Sequence, residues 1–181
     1  MTDDKLTEVI GAKKPIYKGK ILNVQEWTVT LPNGAEAMRE VALHIGASAV
    51  IPVDKEGYTY FVKQFRTPFE RVFLEVPAGK LDYAGENRLE AAKRELREET
   101  GFTAEKWTHL IDLSTTPGFS NEVISLYLAE ELTLGETDPD EDEFIDLVKL
   151  KFEDAVKLVT EGKITDAKTA VCVLLADQHM H

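Results

Sequence analysis

Residues 16–31, IYKGKILNVQEWTVTL, read as extended chain and end in Pro32-Asn33-Gly34. Asn-Gly supplies the positive φ angles of a tight hairpin turn, so a second strand is expected through Val41 to His44. Two more extended runs follow in ASAVIPV and YTYFVKQF, separated by the turn Asp54–Gly57. From Asn87 the period changes. Leu89, Ala92 and Leu96 recur at helical spacing, and Gly101 stands where a helix C-cap belongs. Asn87 with Glu90 three residues on has the spacing of an N-terminal capping box. Short strands are expected around Trp107–Asp112, Val123–Ala129 and Leu147–Leu150, then helices near Phe152–Glu161 and Asp166–Ala176. The pattern predicts an α/β fold, a sheet sandwiched by helices, with an antiparallel β-rich N-terminal extension.

Composition narrows the classes without choosing among them. A chain of 181 residues is long enough to bury one sizeable core. The net charge of -12 argues against nucleic-acid backbones and anionic membranes as partners, though not against a small phosphate ligand. No apolar run approaches the roughly 20 residues of a membrane span. The N-terminal MTDDKLTEVIGAKKP carries no apolar stretch of signal-peptide type, and a cytoplasmic location is expected. The single cysteine, Cys172, sits in the apolar AVCVLLA and reads as buried packing. His44, His109, His179 and His181 show no metal-ligand spacing.

One stretch needs explanation. RELREETGF, Arg94–Phe102, packs Glu95, Glu98 and Glu99 onto one turn of the expected helix. At 100° per residue Glu95 and Glu99 fall about 40° apart, with Glu98 about 60° from Glu95 on the other side. The stripe of Leu89, Ala92 and Leu96 begins roughly 20° beyond Glu99. The glutamates therefore border the core, while Lys93 and Arg97 point to the far face. Like charges at that spacing cost about 0.2–0.5 kcal/mol even when exposed. A divalent cation reverses the sign of that interaction, and Mg²⁺ prefers such hard oxygen ligands. A solvated acidic face with Arg94–Glu98 pairing is the competing reading.

The surroundings extend the pattern. GKLDYAGENRLEAAKRELREETGF, Gly79–Phe102, closely resembles the Nudix box: a glycine, a spaced glutamate, then Arg-Glu-apolar-x-Glu-Glu-x-Gly-apolar. Glu86 stands eight positions before Arg94 in the chain. There is one departure: six residues separate Gly79 from Glu86 where the pattern has five, an extra residue assigned to the loop Asp82–Gly85. The resemblance implies a Nudix hydrolase with an α/β/α sandwich. It implies Mg²⁺, with Mn²⁺ able to substitute, on Glu95 and Glu99, with Glu98 assisting and the Ala78 carbonyl as a further ligand. Arg94 would orient the carboxylates. Gly79, Glu86 and Gly101 would complete the structural part of the box.

Two further blocks point to a branch. Pro117 lies sixteen residues beyond Gly101, and PGFSNE resembles the ADP-ribose pyrophosphatases, with Glu122 then near substrate or a dimer partner. ETDPDEDEFIDLVKL is not an EF-hand: counting from Asp138, position 6 is Glu143 and position 12 is Lys149. In that branch a Glu-x-Glu loop supplies the catalytic base, which implies Glu143, with Glu141 the alternative. Arg39 and Arg66 match phosphate- or ribose-contacting positions, or else form surface ion pairs. Glu75 is grouped with them, ordering the site. Trp27 is a base-stacking platform or a core or interface aromatic. Asp166–Thr169, DAKT, reads as structural.

The implied organisation is an N-terminal β-rich extension over 1–45 for dimerisation, exchanged between subunits, and a Nudix domain over 46–181. The implied protein is a cytoplasmic homodimer that hydrolyses nucleoside diphosphate sugars such as ADP-ribose, ADP-glucose or GDP-mannose. It has no nucleic-acid or membrane partner. Sanitation of non-standard nucleoside triphosphates and non-catalytic ADP-ribose sensing are the alternatives.

Overall fold

A computed structural model describes residues 3–135 and 144–181 of the chain. The backbone divides into two compact units, Met1–His44 with Ser114–Glu122, and Ile45–Leu113 with Val123–His181.

The first unit is built on an antiparallel sheet of β1 (Val9–Lys18), β2 (Asn23–Thr30) and β3 (Glu36–Leu43), in that order. The run read as one extended segment from residue 16 is thus two strands, broken where Gly19 N donates to Leu22 O at 2.8 Å. β1 also starts seven residues earlier, on VIGAKKPIYK, whose uniformly exposed positions and lysines give no alternation to read. The β2–β3 turn keeps its expected place by another device. Gly34 alone takes a positive φ, 83°, while the Asn33 side chain accepts from Ala35 N at 3.0 Å. The segment 114–122 packs with this unit through Ala42 N donating to Phe119 O at 2.8 Å, and His44 N to Asn121 Oδ1 at 2.7 Å.

The second unit carries two sheets. One has the order β10 (Asp146–Lys151), β5 (Tyr58–Arg66), β6 (Arg71–Glu75), all antiparallel. The other runs β7 (Ala78–Lys80), β4 (Ala47–Pro52), β9 (Val123–Leu134), β8 (Phe102–Ser114), with β4 and β9 parallel. Every residue of β4 is buried, which explains its unbroken apolar run: a strand covered on both faces has no polar side to alternate. Ala47, Ala49, Ile51 and Val53 join a core with Phe152 and Ala155 of α2 (Phe152–Thr160) and Cys172, Val173 and Ala176 of α3 (Ala167–Met180). Val50 faces the other way, onto Ala92 and Leu96 of α1 (Arg88–Thr100), with Tyr60, Phe102 and Tyr127. One helix on one face and two on the other make the α/β/α sandwich.

Helix α1 begins and ends on the expected residues. Asn87 Oδ1 accepts from Leu89 N at 2.9 Å and Glu90 N at 3.2 Å. The Glu90 carboxylate accepts from Lys93 Nζ at 2.9 Å. Gly101 N closes on Arg97 O at 2.8 Å. Strands β6 and β7, too short to show a period, are additions to the expected elements, and β8, β9 and α3 run longer than their apolar cores suggested. Cys172 is fully buried, which pushes its thiol pKa up. Among the described residues no helix is long and apolar enough to cross a membrane.

Candidate functional site

The N-terminal half of the second unit's site comes from α1 lying beside β7 and the loop that follows it. The wheel placed Glu95 and Glu99 at the border of the apolar stripe, and there they are: 8% and 7% exposed, against the sheet. Two features let carboxylates sit that deep. Ala78 N donates to Glu99 Oε2 at 3.1 Å. Gly79 has no side chain, and a Cβ there would lie 2.0 Å from Glu95 Oε1, so the glycine is the space the carboxylate occupies.

Arg94 gathers the remaining charge. Its Nη1 donates to Glu95 Oε1 at 2.7 Å and to Glu98 Oε2 at 3.1 Å, and its Nη2 to Lys80 O at 3.3 Å. Nε faces Asp82 at 3.5 Å and Glu86 at 3.8 Å. Burial disfavours the guanidinium charge, but the carboxylates of Glu95, Glu98 and Asp82 outweigh it and raise the Arg94 pKa. Glu86 in turn accepts from Asp82 N at 2.7 Å, folding the loop that carries the extra residue back on the helix entry. The Arg94–Glu98 pairing of the competing reading is present, and the same guanidinium also holds Glu95.

The donor set suits a hard divalent ion. Glu95 and Glu99 bring carboxylate oxygens close to the Ala78–Gly79 backbone, and Glu98 stands one turn from Arg94 on the same helix. Among the described residues no group of three or more His, Cys, Asp or Glu side chains is placed so as to hold a metal ion by itself. Mg²⁺ does not ask for one, since it commonly takes one or two carboxylates and fills its shell with water and substrate phosphate.

Arg66 and Glu75 stand at the ends of β5 and β6 and bind each other. Arg66 Nε donates to Glu75 Oε1 at 2.6 Å and Nη2 to Oε2 at 2.7 Å, a two-pronged pair. The Glu75 bond raises the Arg66 pKa against the opposing effect of burial, and the more distant Asp166 and Glu99 charges add to it. Glu75 is 2% exposed. Burial alone would raise its pKa, but Arg66 and Lys168 hold it below the usual carboxylate range. Lys168, in the DAKT stretch, was not among the expected site residues. A buried carboxylate demands counter-charge, but a partner 93 positions away leaves no local signal in the sequence.

In the first unit, Trp27 and Arg39 are register partners across β2 and β3. They line a cavity of about 380 Å³ with Glu8, Glu40 and the segment Pro117–Asn121. Lys13 Nζ lies 4.0 Å from the Trp27 ring centroid, and Trp27 Nε1 donates to Gln25 Oε1 at 2.9 Å. Arg39 pairs with Glu8. Glu122 accepts from Thr115 Oγ1 at 2.6 Å and faces His44 Nδ1 at 3.4 Å. Glu141 and Glu143, the candidate bases, lie outside the described residues.

The chain is 45% identical over 170 residues to an ADP-ribose pyrophosphatase of Bacillus subtilis (strain 168), covering 93% of this chain and 91% of that one. It is 42% identical over 160 residues to a methanol dehydrogenase activator of Bacillus methanolicus, covering 87% and 86%. A crystal structure of an ADP compounds hydrolase superposes with a TM-score of 0.84 over 97% of this chain and 95% of that one, at 22% identity, and shares its fold. The NUDIX domain model matches residues 42–170, and so the chain belongs to the NUDIX family.

Proposed function

We propose that this NUDIX hydrolase cleaves the diphosphate linkage of nucleoside diphosphate sugars. ADP-ribose would give AMP and ribose 5-phosphate, and ADP-glucose or GDP-mannose a nucleoside monophosphate and a sugar phosphate. In each case water adds to one phosphorus, one P–O bond of the anhydride breaks, and the bridging oxygen leaves with the other phosphate. The observation that carries this reading is the placement of Glu95, Glu98 and Glu99 on one face of α1, ordered by Arg94 and admitted by Gly79.

Glu95, Glu99 and Glu98, with the Ala78 carbonyl, would hold Mg²⁺ or Mn²⁺. When bound, such an ion supplies Lewis-acid neutralisation of charge on the diphosphate oxygens. Arg94 fixes the carboxylate orientations, and Glu86 fixes the loop ahead of the helix. Glu143, with Glu141 the alternative, accepts the proton of the attacking water. Arg66 and Arg39 provide cationic contacts for phosphate or ribose, Trp27 a stacking surface for the base, and Glu122 a contact with substrate or the dimer partner. The working species is a cytoplasmic homodimer, dimerised through residues 1–45.

A phosphatase-coupled assay with Mg²⁺ on ADP-ribose, ADP-glucose and GDP-mannose tests the reading, because the products have terminal phosphates and the substrates do not. Turnover of at least one sugar nucleotide is expected, and the ranking names the substrate. Pyrophosphate released from nucleoside triphosphates, with silence on the sugars, would move the protein to triphosphate sanitation. The second reading is a non-catalytic ADP-ribose sensor; the 42% identity to a protein named a methanol dehydrogenase activator is compatible with a regulatory role but does not speak to catalysis. Tight ADP-ribose binding without turnover under any divalent ion would establish that one.

A further inference from the structure

The N-terminus of α3 is fastened to the end of β6 by a continuous set of bonds. Asp166 caps the helix, its Oδ2 accepting from Thr169 N at 3.0 Å and Thr169 Oγ1 at 2.6 Å. Thr169 Oγ1 in turn accepts from Val76 N at 2.9 Å, one residue past Glu75. Lys168 Nζ donates to Asp166 Oδ2 at 3.0 Å and to Glu75 Oε2. Glu75 Oε2 is therefore shared between Lys168 and Arg66. Arg66, Glu75, Asp166 and Lys168 line a cavity of about 180 Å³ whose apolar wall is Pro68, Phe69 and Phe73.

Exposure sorts the members by role. The Glu75 side chain is 2% exposed and that of Lys168 12%, whereas that of Arg66 is 40% exposed. Of the two cations, Arg66 is the more open to an anionic ligand. Two cations, Arg66 and Lys168, balance two carboxylates, Glu75 and Asp166. Without Lys168 the set carries one net negative charge, and Arg66, already bound to both Glu75 oxygens, would have to neutralise that buried carboxylate without Lys168. Desolvated charges at these distances feel one another strongly.

We propose that Lys168 is a positioning residue for the hydrolase: by sharing the buried Glu75 carboxylate with Arg66 it keeps the Arg66 guanidinium oriented toward the diphosphate of the substrate. The inference rests on the nucleotide-sugar reading above. It assigns no contact between Lys168 and substrate. Lys168 acts through Glu75 and Arg66, so its effect belongs to ground-state binding and not to the chemical step.

The test is steady-state kinetics on ADP-ribose with Mg²⁺, together with calorimetric ADP-ribose binding in EDTA, where no turnover intervenes. Lys168→Met, and Lys168→Gln as the variant that keeps hydrogen-bonding reach without charge, should raise KM and Kd about tenfold, with kcat within about twofold. Lys168→Arg should restore both constants. In an Arg66→Met background, Lys168→Gln should cause no further rise, because the residue it acts through is gone. Unchanged KM and Kd in a folded Lys168→Gln protein, with only a lower Tm, would overturn the proposal, as would a fully additive double variant. Wild-type protein that binds ADP-ribose but does not hydrolyse it would sink the enzymatic reading alone, and the binding measurement would still decide on Lys168.

Discussion

At Gly79 a hydrogen in place of a methyl group decides whether Glu95 can reach its position. A Cβ built there meets Glu95 Oε1 at 2.0 Å and its carboxyl carbon at 2.2 Å, so the carboxylate must leave or the backbone must shift. Displacing a catalytic group by about 1 Å can cost about 100-fold in rate. Gly79→Ala should therefore lose at least about that much kcat/KM on the preferred sugar nucleotide while the rest of α1 stays folded. Far-ultraviolet circular dichroism alongside the assay separates the two effects, and an active Gly79→Ala enzyme would show that Glu95 does not need this position. Glu99→Gln probes the other buried carboxylate. It keeps the shape and an oxygen for the Ala78 N–H, 3.1 Å from Glu99 Oε2, but removes the charge. Metal-dependent turnover should vanish in it with the fold intact, and undiminished activity would remove Glu99 from the proposed ligand set.

At the scale of the element, α1 shows what a sequence can carry. Its N-cap, apolar stripe and closing glycine lie within fifteen consecutive residues, 87–101, and each acts on its near neighbours. Asn87→Ala should lower stability by about 1 kcal/mol, measured by urea unfolding, because two helix N–H groups lose their acceptor. An unchanged midpoint would mean that water replaces the cap without loss. The same local logic fails elsewhere. Strands β6 and β7 hold five and three residues and are defined by pairing with β5 and β4, which no short window reveals. β1 begins at Val9, ahead of the expected residue 16, because an exposed, lysine-bearing strand shows no apolar alternation. In the site, the local carboxylates of α1 were legible. The Lys168–Glu75–Arg66 set was not, because its members come from α3, β6 and β5 and meet only in the folded chain.

At the scale of the whole molecule, acid should reveal which carboxylates the fold depends on. Excess negative charge, -12 in all, disfavours the compact state at neutral pH, so protonating exposed carboxylates relieves repulsion as pH falls. Three paired carboxylates act in the opposite sense. Glu75 is held down by Arg66 and Lys168 despite burial. Asp54 is held down, also against burial, by the Tyr58 N–H, the Tyr60 hydroxyl and Lys149. Asp112 is held down by the Ser125 hydroxyl and His109. A group whose folded pKa is depressed contributes stability that is present above its unfolded value, near 4.5 for Glu75, and lost as pH falls through the lower folded value. Urea unfolding at a series of pH values should thus give stability that is level or rising down to about pH 5, then falls below about 4. Glu75→Gln isolates one part of that fall. It leaves Arg66 and Lys168 facing a neutral amide, so the variant should be less stable than wild type at pH 7, where an unpaired cation close to the interior is costly. The gap should then narrow as pH drops, because wild-type Glu75 becomes neutral as well. Parallel curves for the two proteins would mean that Glu75 titrates alike in the folded and unfolded chain. That result would also contradict the buried, doubly paired carboxylate on which the positioning of Arg66 depends.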